Sequence, residues 1–361
     1  MIMAEKMKAQ VLYEPNVMKF EEIDVPEIGA GEVLVKVKAV GICGSDIAYY
    51  YGGSPLGTPD GKGPLVIGHE FSGEIVAVGD VPKSLGLFKG GERVTVNPVM
   101  QCNACPACLN GQYNVCSYSS VPGVTANGGF AQYCKVNYTH VYQIPDSVSY
   151  IDAALTEPLA CATYAMKQLE VGLGQTVVVF GPGGIGLMMV QLAKSLGAGK
   201  VILVGRRDFP LEKGLAVGAD HVINSADKAS PYYAADLPAK IRELSGNLAE
   251  RCVVSTSTMD ALQSALEVTG NRSTIVYFGL PGPDDELKVN VLEAINKDRV
   301  IKFSWLAPGV WDTALKAIAT GKVKLGDIIT HQFPLADTEK GIKFMKESKE
   351  DKVKGVVIVD E

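Results

Sequence analysis

Thr176-Val177-Val178-Val179-Phe180-Gly181-Pro182-Gly183-Gly184-Ile185-Gly186 is the stretch that decides the fold. Its first five residues are β-branched or aromatic, the composition of a short buried strand, and the glycines at 181, 183 and 186 then follow in the G-x-G-x-x-G register. An apolar helical pattern from Ile185 to Leu196 comes next, so the glycines sit between a strand and a helix, as a dinucleotide-binding loop requires. Without side chains, such positions let the amide N–H groups at a helix start approach a pyrophosphate. The expected cofactor contacts are Gly181, Gly183, Gly184, Ile185 and Gly186. A plain tight turn between strand and helix is the competing reading.

Downstream, the runs Lys200 to Val204, His221 to Ile223, Cys252 to Ser255 and Thr274 to Phe278 alternate with helical stretches such as Met259 to Val268. Alternation of this kind specifies a parallel sheet wrapped by helices. The end of the second strand selects the dinucleotide, because an acidic side chain there bonds the adenosine ribose and repels a 2′-phosphate. Here Gly205 takes that place and Arg206 and Arg207 follow, so the expectation is NADP over NAD, with guanidinium groups clamping the phosphate. The alternative is that the arginines are surface charges and Asp208 takes the ribose contact.

Upstream the texture differs. Glu32 to Val40 alternates apolar and polar residues, and Glu74 to Val78 and Arg93 to Val96 are also β-rich, so the first third reads as mostly strand. Gly52 to Pro64 is dense in glycine and proline and reads as an irregular, functional-length loop. The rhythm changes near Ile151 and again near Asn296. The mixed-charge run Lys346 to Lys352 reads as a solvated helix face, followed by the strand Val356 to Val359. There is no internal repeat.

The length of 361 residues favours two domains, and 47% hydrophobic with 20% charged residues excludes wholesale disorder. A net charge of -6 offers no general basic field, which argues against nucleic acid as a partner. The opening Met1 to Lys8 does not read as a secretory signal and no apolar run is long enough to span a bilayer, so a soluble, cytoplasmic protein without membrane partners is expected.

Eight cysteines are too sparse for a disulfide framework, yet Cys102, Cys105, Cys108 and Cys116 crowd into one loop. Four thiolates so close can surround one Zn²⁺ tetrahedrally, a closed and therefore structural site; an iron–sulfur cluster is the rival. Cys43 in Gly41-Ile42-Cys43-Gly44-Ser45-Asp46 and His69 in Gly68-His69-Glu70-Phe71-Ser72-Gly73 are each ambiguous alone.

Together with Glu157-Pro158-Leu159, the cysteine loop and the glycine loop, these two segments stand in an order that resembles the zinc-containing medium-chain alcohol and polyol dehydrogenases, closest to the sorbitol and threonine dehydrogenase branch. The resemblance runs from about Lys8 to the C-terminus. It implies an α/β protein with a GroES-like, mostly-β catalytic domain at 1–155 and 297–361 and a Rossmann doubly wound parallel-sheet domain at 156–296. It implies two Zn²⁺ per chain, the catalytic one held by Cys43, His69 and Glu157 with Glu70 able to enter, and the structural one by the four-cysteine loop. By the same resemblance Asp46 orients the zinc-bound imidazole, Ser45 takes the alcohol proton, and the chain is a homodimer or homotetramer.

The implied reaction is hydride transfer between a secondary alcohol or polyol, or the matching ketone, and NADP(H) or NAD(H). Two features depart from the pattern. Ala48 stands where many relatives have a proton-relaying histidine, and the Arg-Tyr pair that holds a polyol in sorbitol dehydrogenases is missing near Trp305, which leaves Tyr49, Trp305 and Trp311 as candidate apolar walls. Cys161 is the runner-up for third ligand. Cys134, Cys252, His140, His221 and His331 read as structural. Two other functions stay open: a zinc-free quinone or enoyl reductase of the same architecture, and a nonenzymatic dinucleotide- and zinc-binding redox sensor.

Overall fold

The computed structural model describes residues 5–359, so half of the opening stretch read as lacking a secretory pattern, Met1 to Ala4, lies outside the described residues. The chain folds as two units. One comprises the chain up to Pro158, Ile329–Glu350 and the stretch from Lys354; the other comprises Leu159–Ile328 and Asp351–Val353.

In the first unit, β1 (Lys6–Glu14) turns back antiparallel as β2 (Val17–Asp24). β3 (Glu32–Gly41) is the spine of a larger sheet, while β4 (Leu65–Val66) caps the other edge of β1. β5 (Glu70–Val78) runs antiparallel along the whole of β3, and β6 (Arg93–Val96) pairs with β5. β7 (Tyr133–Asn137) occupies the first half of the opposite edge of β3, and β8 (Val141–Gln143) pairs with β6. Alternation in β3 buries Val33, Val35 and Val37 against Phe71, Ile75 and Val94 in one apolar core. Removing such surface from water is the main favourable term, about 25 cal/mol per Å².

The second unit holds β9 (Thr176–Phe180), β10 (Lys200–Gly205), β11 (His221–Asn224), β12 (Ala249–Val254), β13 (Thr269–Tyr277) and β14 (Val300–Phe303). All pair in parallel, in the order β11-β10-β9-β12-β13-β14, the doubly wound arrangement whose order reverses at the first strand. Its strands are apolar on both faces because helices cover both, so Val177, Val178 and Val179 are all fully buried. Residues 297–328, expected in the first unit, lie here instead. The reason is β14: it extends the parallel sheet through Thr274↔Val300 to Tyr277↔Phe303, and as a half-exposed edge strand it carries only a weak apolar signal.

The chain then returns to the first unit as β15 (Ile329–Pro334) and β16 (Lys354–Ile358). β16 takes the second half of the β3 edge that β7 leaves open, with Val356↔Gly41 and Ile358↔Ala39, giving the sheet order β15-β16-β3-β5-β6-β8. The charge run at 346–352 is not a helix face throughout. The helix Thr338–Glu347 stops at its second residue, and Lys352 is buried. Among the described residues, no helix is long and apolar enough to cross a membrane.

Candidate metal centres and nucleotide loop

Gly41 ends β3, and Cys43 becomes the N-cap of the short helix Gly44–Tyr50. Asp46 sits at the third helical position, where its Oδ2 accepts the Cys43 amide at 2.8 Å, satisfying a donor that the helix start would otherwise orphan. Its other oxygen, Oδ1, faces Nδ1 of His69 at 3.6 Å, beyond hydrogen-bond range. His69 and Glu70 arrive from the start of β5. One ligand atom each from Cys43, His69 and Glu70 lies within 4.8 Å of the others.

The electrostatics of this cluster ask for a cation. Asp46 Oδ1 and His69 Nδ1 are buried without a hydrogen-bond partner, an arrangement that costs free energy unless a charge compensates. Burial opposes protonation of His69, yet the Asp46 carboxylate and the Cys43 thiol outweigh it and hold the imidazole well above its ordinary range. A thiolate, an imidazole and carboxylates are also the donors that Zn²⁺ accepts. The residues present therefore fit a divalent metal.

Glu157 is buried in the first turn of the helix Thr156–Leu169 but stands outside the convergent set, whose carboxylate is that of Glu70. Cys161, four residues on, is also buried and also outside it. Ser45 is half-buried on the helix that begins after Cys43. Tyr49 sits on the same helix; burial, then the nearby Asp46 and Cys43 against His69, pushes its hydroxyl up. Tyr49 also lines a cavity of about 270 Å³ beneath the loop Gly52 to Pro64, with Leu12, Pro15 and Leu56 among the walls. Trp311 is buried and Trp305 is 47% exposed, so Trp311 serves as core.

The four-cysteine loop is built locally. Cys102, Cys105, Cys108 and Cys116 bring their sulfurs within 4.8 Å of one another. Backbone N–H groups point at them: Cys102 Sγ accepts from Cys105 N at 3.3 Å, and Cys116 Sγ from Cys102 N and Tyr118 N at 3.4 Å. Amide donation from Cys108 lowers Cys105 to about 6, and that from Cys102 lowers Cys116, whereas burial pushes Cys108 up to about 12. Thiolate character favoured by amides, with four sulfurs converging, fits a tetrahedral metal with no position left over. His140 anchors the loop, its Nε2 lying 2.7 Å from Gln101 Oε1.

In the second unit, Gly181 follows β9 at φ +97°, a conformation that favours glycine. A Cβ at Gly186 would lie 1.8 Å from the Gly181 carbonyl oxygen, whereas at Gly183 it would meet nothing within 4 Å. Thus Gly181 and Gly186 make the turn, and Gly183 leaves its outer face clear. Gly184 and Ile185 open the helix Gly184–Ser195, whose unpaired amides suit an anion. At the end of β10, Gly205 is buried, Arg206 and Arg207 are exposed, and Asp208 Oδ1 accepts from Asn224 Nδ2 at 2.7 Å and Ser230 Oγ at 2.6 Å.

Sequence reasoning missed Lys354. It opens β16, is 8% exposed, and donates from Nζ to Glu70 Oε1 and to the Ile42 carbonyl, each at 2.9 Å. The signal was present: a lysine heading an otherwise apolar strand, Lys354-Gly355-Val356-Val357-Ile358. Burial opposes its charge, but Glu70 and Cys43 raise it above the ordinary range.

Comparison with known proteins agrees across the chain. Residues 29–146 match the alcohol dehydrogenase GroES-like domain and residues 184–320 match the zinc-binding dehydrogenase domain. The sorbitol dehydrogenase of Bacillus subtilis is 34% identical over 351 residues, spanning 95% of this chain and 96% of its own. An Escherichia coli structure described as a short chain alcohol dehydrogenase, complexed with NADH, superposes with a TM-score of 0.88 at 31% identity, covering 98% of this chain and 100% of that one. A Bacillus subtilis 2R,3R-butanediol dehydrogenase structure superposes with a TM-score of 0.87 at 27% identity, covering 98% and 100%.

Proposed function

The chain belongs to the zinc-binding medium-chain dehydrogenase/reductase family, and from that premise we propose its site residues and substrate class. It is an NAD(P)-dependent oxidoreductase that moves a hydride between an alcohol or polyol and the matching ketone. The observation that carries the reading is the convergence of Cys43, His69 and Glu70, with buried polar atoms lacking partners, in a chain that also carries a glycine loop between β9 and its helix.

When bound, zinc makes an alcohol hydroxyl acidic or a carbonyl electrophilic, and the nicotinamide accepts or returns the hydride. Cys43, His69 and Glu157 are the proposed ligands of that metal, with Glu70 beside them. Asp46 faces the imidazole on its Nδ1 side, so Nε2 is the nitrogen offered to the metal. Ser45 receives the substrate proton on its hydroxyl. Its further route to solvent does not use position 48, which is Ala48. Cys102, Cys105, Cys108 and Cys116 hold a second, structural zinc.

We further infer NADP over NAD. Asp208 is drawn toward Asn224 and Ser230, and Arg206 and Arg207 project from the strand end where a 2′-phosphate would lie. The sorbitol and threonine dehydrogenase branch is supported by the Bacillus subtilis relative, whose substrate its name gives as sorbitol. Eight free cysteines suit a reducing compartment such as the cytoplasm. An exposed apolar edge, with Phe303, Val300 and Leu292 uncovered, suits a homodimer or homotetramer.

The test is elemental analysis together with a panel of secondary alcohols, polyols and ketones under both cofactors. Two zinc equivalents with turnover are expected. Two equivalents with no turnover anywhere on the panel supports the redox sensor, and turnover without the second equivalent supports the zinc-free reductase.

A further inference from the structure

The second unit carries an acid near the strand end that selects the dinucleotide, and that acid is tied down. Asp208 opens the helix Asp208–Ala216, just past Gly205. Its Oδ1 accepts from Asn224 Nδ2 at 2.7 Å and from Ser230 Oγ at 2.6 Å. Asn224 ends β11 and pairs with Gly205, and β10 lies between β11 and β9. The carboxylate is therefore drawn to the β11 side, whereas the glycine loop follows β9 on the opposite side.

The holder is a loop stitched to the end of β11. Asn224 is fully buried and Ser230 nearly so. Asn224 Oδ1 accepts from the amides of Ala226 at 3.0 Å and Asp227 at 2.9 Å, which occupies the oxygen and leaves Nδ2 to donate to Asp208. Ser230 Oγ accepts from the Tyr232 amide at 3.1 Å while it donates to the same carboxylate. The Asn224 amide donates to the Tyr232 carbonyl at 2.9 Å, and the Ser225 amide to the Gly205 carbonyl at 2.8 Å. The loop is thus pinned to the strand end it serves.

We propose that Asn224 and Ser230 are positioning residues for cofactor choice: they hold Asp208 off the end of β10 and leave that end to Arg206 and Arg207. A carboxylate at the ribose bonds its hydroxyls and repels a 2′-phosphate. A binding group kept in the wrong orientation weakens its ligand by the fraction of time it is free. The chain therefore carries a latent NAD determinant, and releasing Asp208 tightens NAD and weakens NADP together. The inference rests on the reading of NADP over NAD.

The test is fluorescence titration of the zinc-loaded full chain with NADPH and with NADH. Asn224→Asp keeps an acceptor for the two loop amides but turns a carboxylate on Asp208, and Ser230→Ala removes the other donor. In the pair, the ratio of the two dissociation constants moves toward NADH by roughly 10-fold, the worth of about one bond to a charged group. Adding Asp208→Asn to the pair cancels the gain in NADH affinity, which a loop that merely supports the fold would not do. Ser230→Thr, which keeps the hydroxyl, leaves the ratio as it is in the unaltered chain. An unchanged ratio in the folded pair overturns the proposal, and so does a gain that survives Asp208→Asn.

Should the pair fail to fold, Ser230→Ala alone decides: a shift of about 3-fold toward NADH supports the proposal, and an unchanged ratio overturns it. Weaker NADH binding in Asp208→Asn by itself shows the acid already on the ribose and also overturns it. An unaltered chain that binds NADH at least as tightly as NADPH overturns the NADP reading and the proposal with it. That failure is visible before any substitution is made, so the two are told apart.

Discussion

The two metal-binding clusters are made in opposite ways. The four-cysteine loop draws every ligand from Cys102 to Cys116, with a four-residue helix, Pro106–Leu109, and a 3-10 turn, Tyr113–Val115, inside it. The other cluster gathers Cys43 from the end of β3 and His69 and Glu70 from the start of β5, and borrows a counter-charge from β16. A local set of soft donors defines a closed shell whose loss is felt as stability. A set assembled by a sheet leaves buried polar atoms unpartnered, and its loss is felt as chemistry.

Substitutions sharpen that contrast. Cys43→Ser is expected to take turnover to background and remove one zinc equivalent while Tm holds; a parallel fall in Tm would erase the distinction. Cys116→Ser should do the reverse, removing the other equivalent and lowering Tm while the folded fraction still turns over. A loss of about 2 kcal/mol there corresponds to roughly 4–8 °C for a unit of this size, read by calorimetry. Asp46→Asn keeps the cap bond to the Cys43 amide but weakens the hold on the imidazole, so zinc affinity at the open centre should drop about 10–100-fold with the cysteine-loop zinc untouched.

A further effect concerns pH. Burial lowers His140 from 6.5 to about 4, so the folded chain keeps it neutral while the unfolded chain protonates it. The stability it contributes is complete above pH 6.5 and is lost as pH falls toward 4, by up to about 1.4 kcal/mol per pH unit. Because His140 touches Gln101, next to the cysteine loop, acid should loosen that loop first. His140→Gln should flatten the slope of urea-derived stability between those limits. An unchanged slope would assign the acid sensitivity to the thiolates instead.

How far the sequence foretold these features follows from the same contrast. The cysteine loop and the glycine loop were readable because their chemistry depends on spacing within a dozen or so residues. The parallel order of β9 to β13 was readable because strands buried on both faces are continuously apolar. β14 was not, since an exposed edge strand with Lys302 at its centre has half that signal, and so 297–328 was expected in the wrong unit. Lys354 was passed over for a different reason: a lysine heading an apolar strand stands out locally but does not name its partner, which is 284 residues away. Glu70 and Glu157 are both acids near the right motifs, and it takes the folded sheet to bring the Glu70 carboxylate to Cys43 and His69.

The late return of β16 also sets a timetable. A ribosome that adds about 5–20 residues per second makes Glu70 wait roughly 15–60 s for the lysine that neutralises it. Throughout that interval the free half of the β3 edge is a bare template beside a nascent acid, while the nucleotide-binding sheet, encoded almost without interruption, can close at its own pace. Truncated messages would therefore yield a chain able to grip dinucleotide yet deprived of its finished oxidoreductive centre.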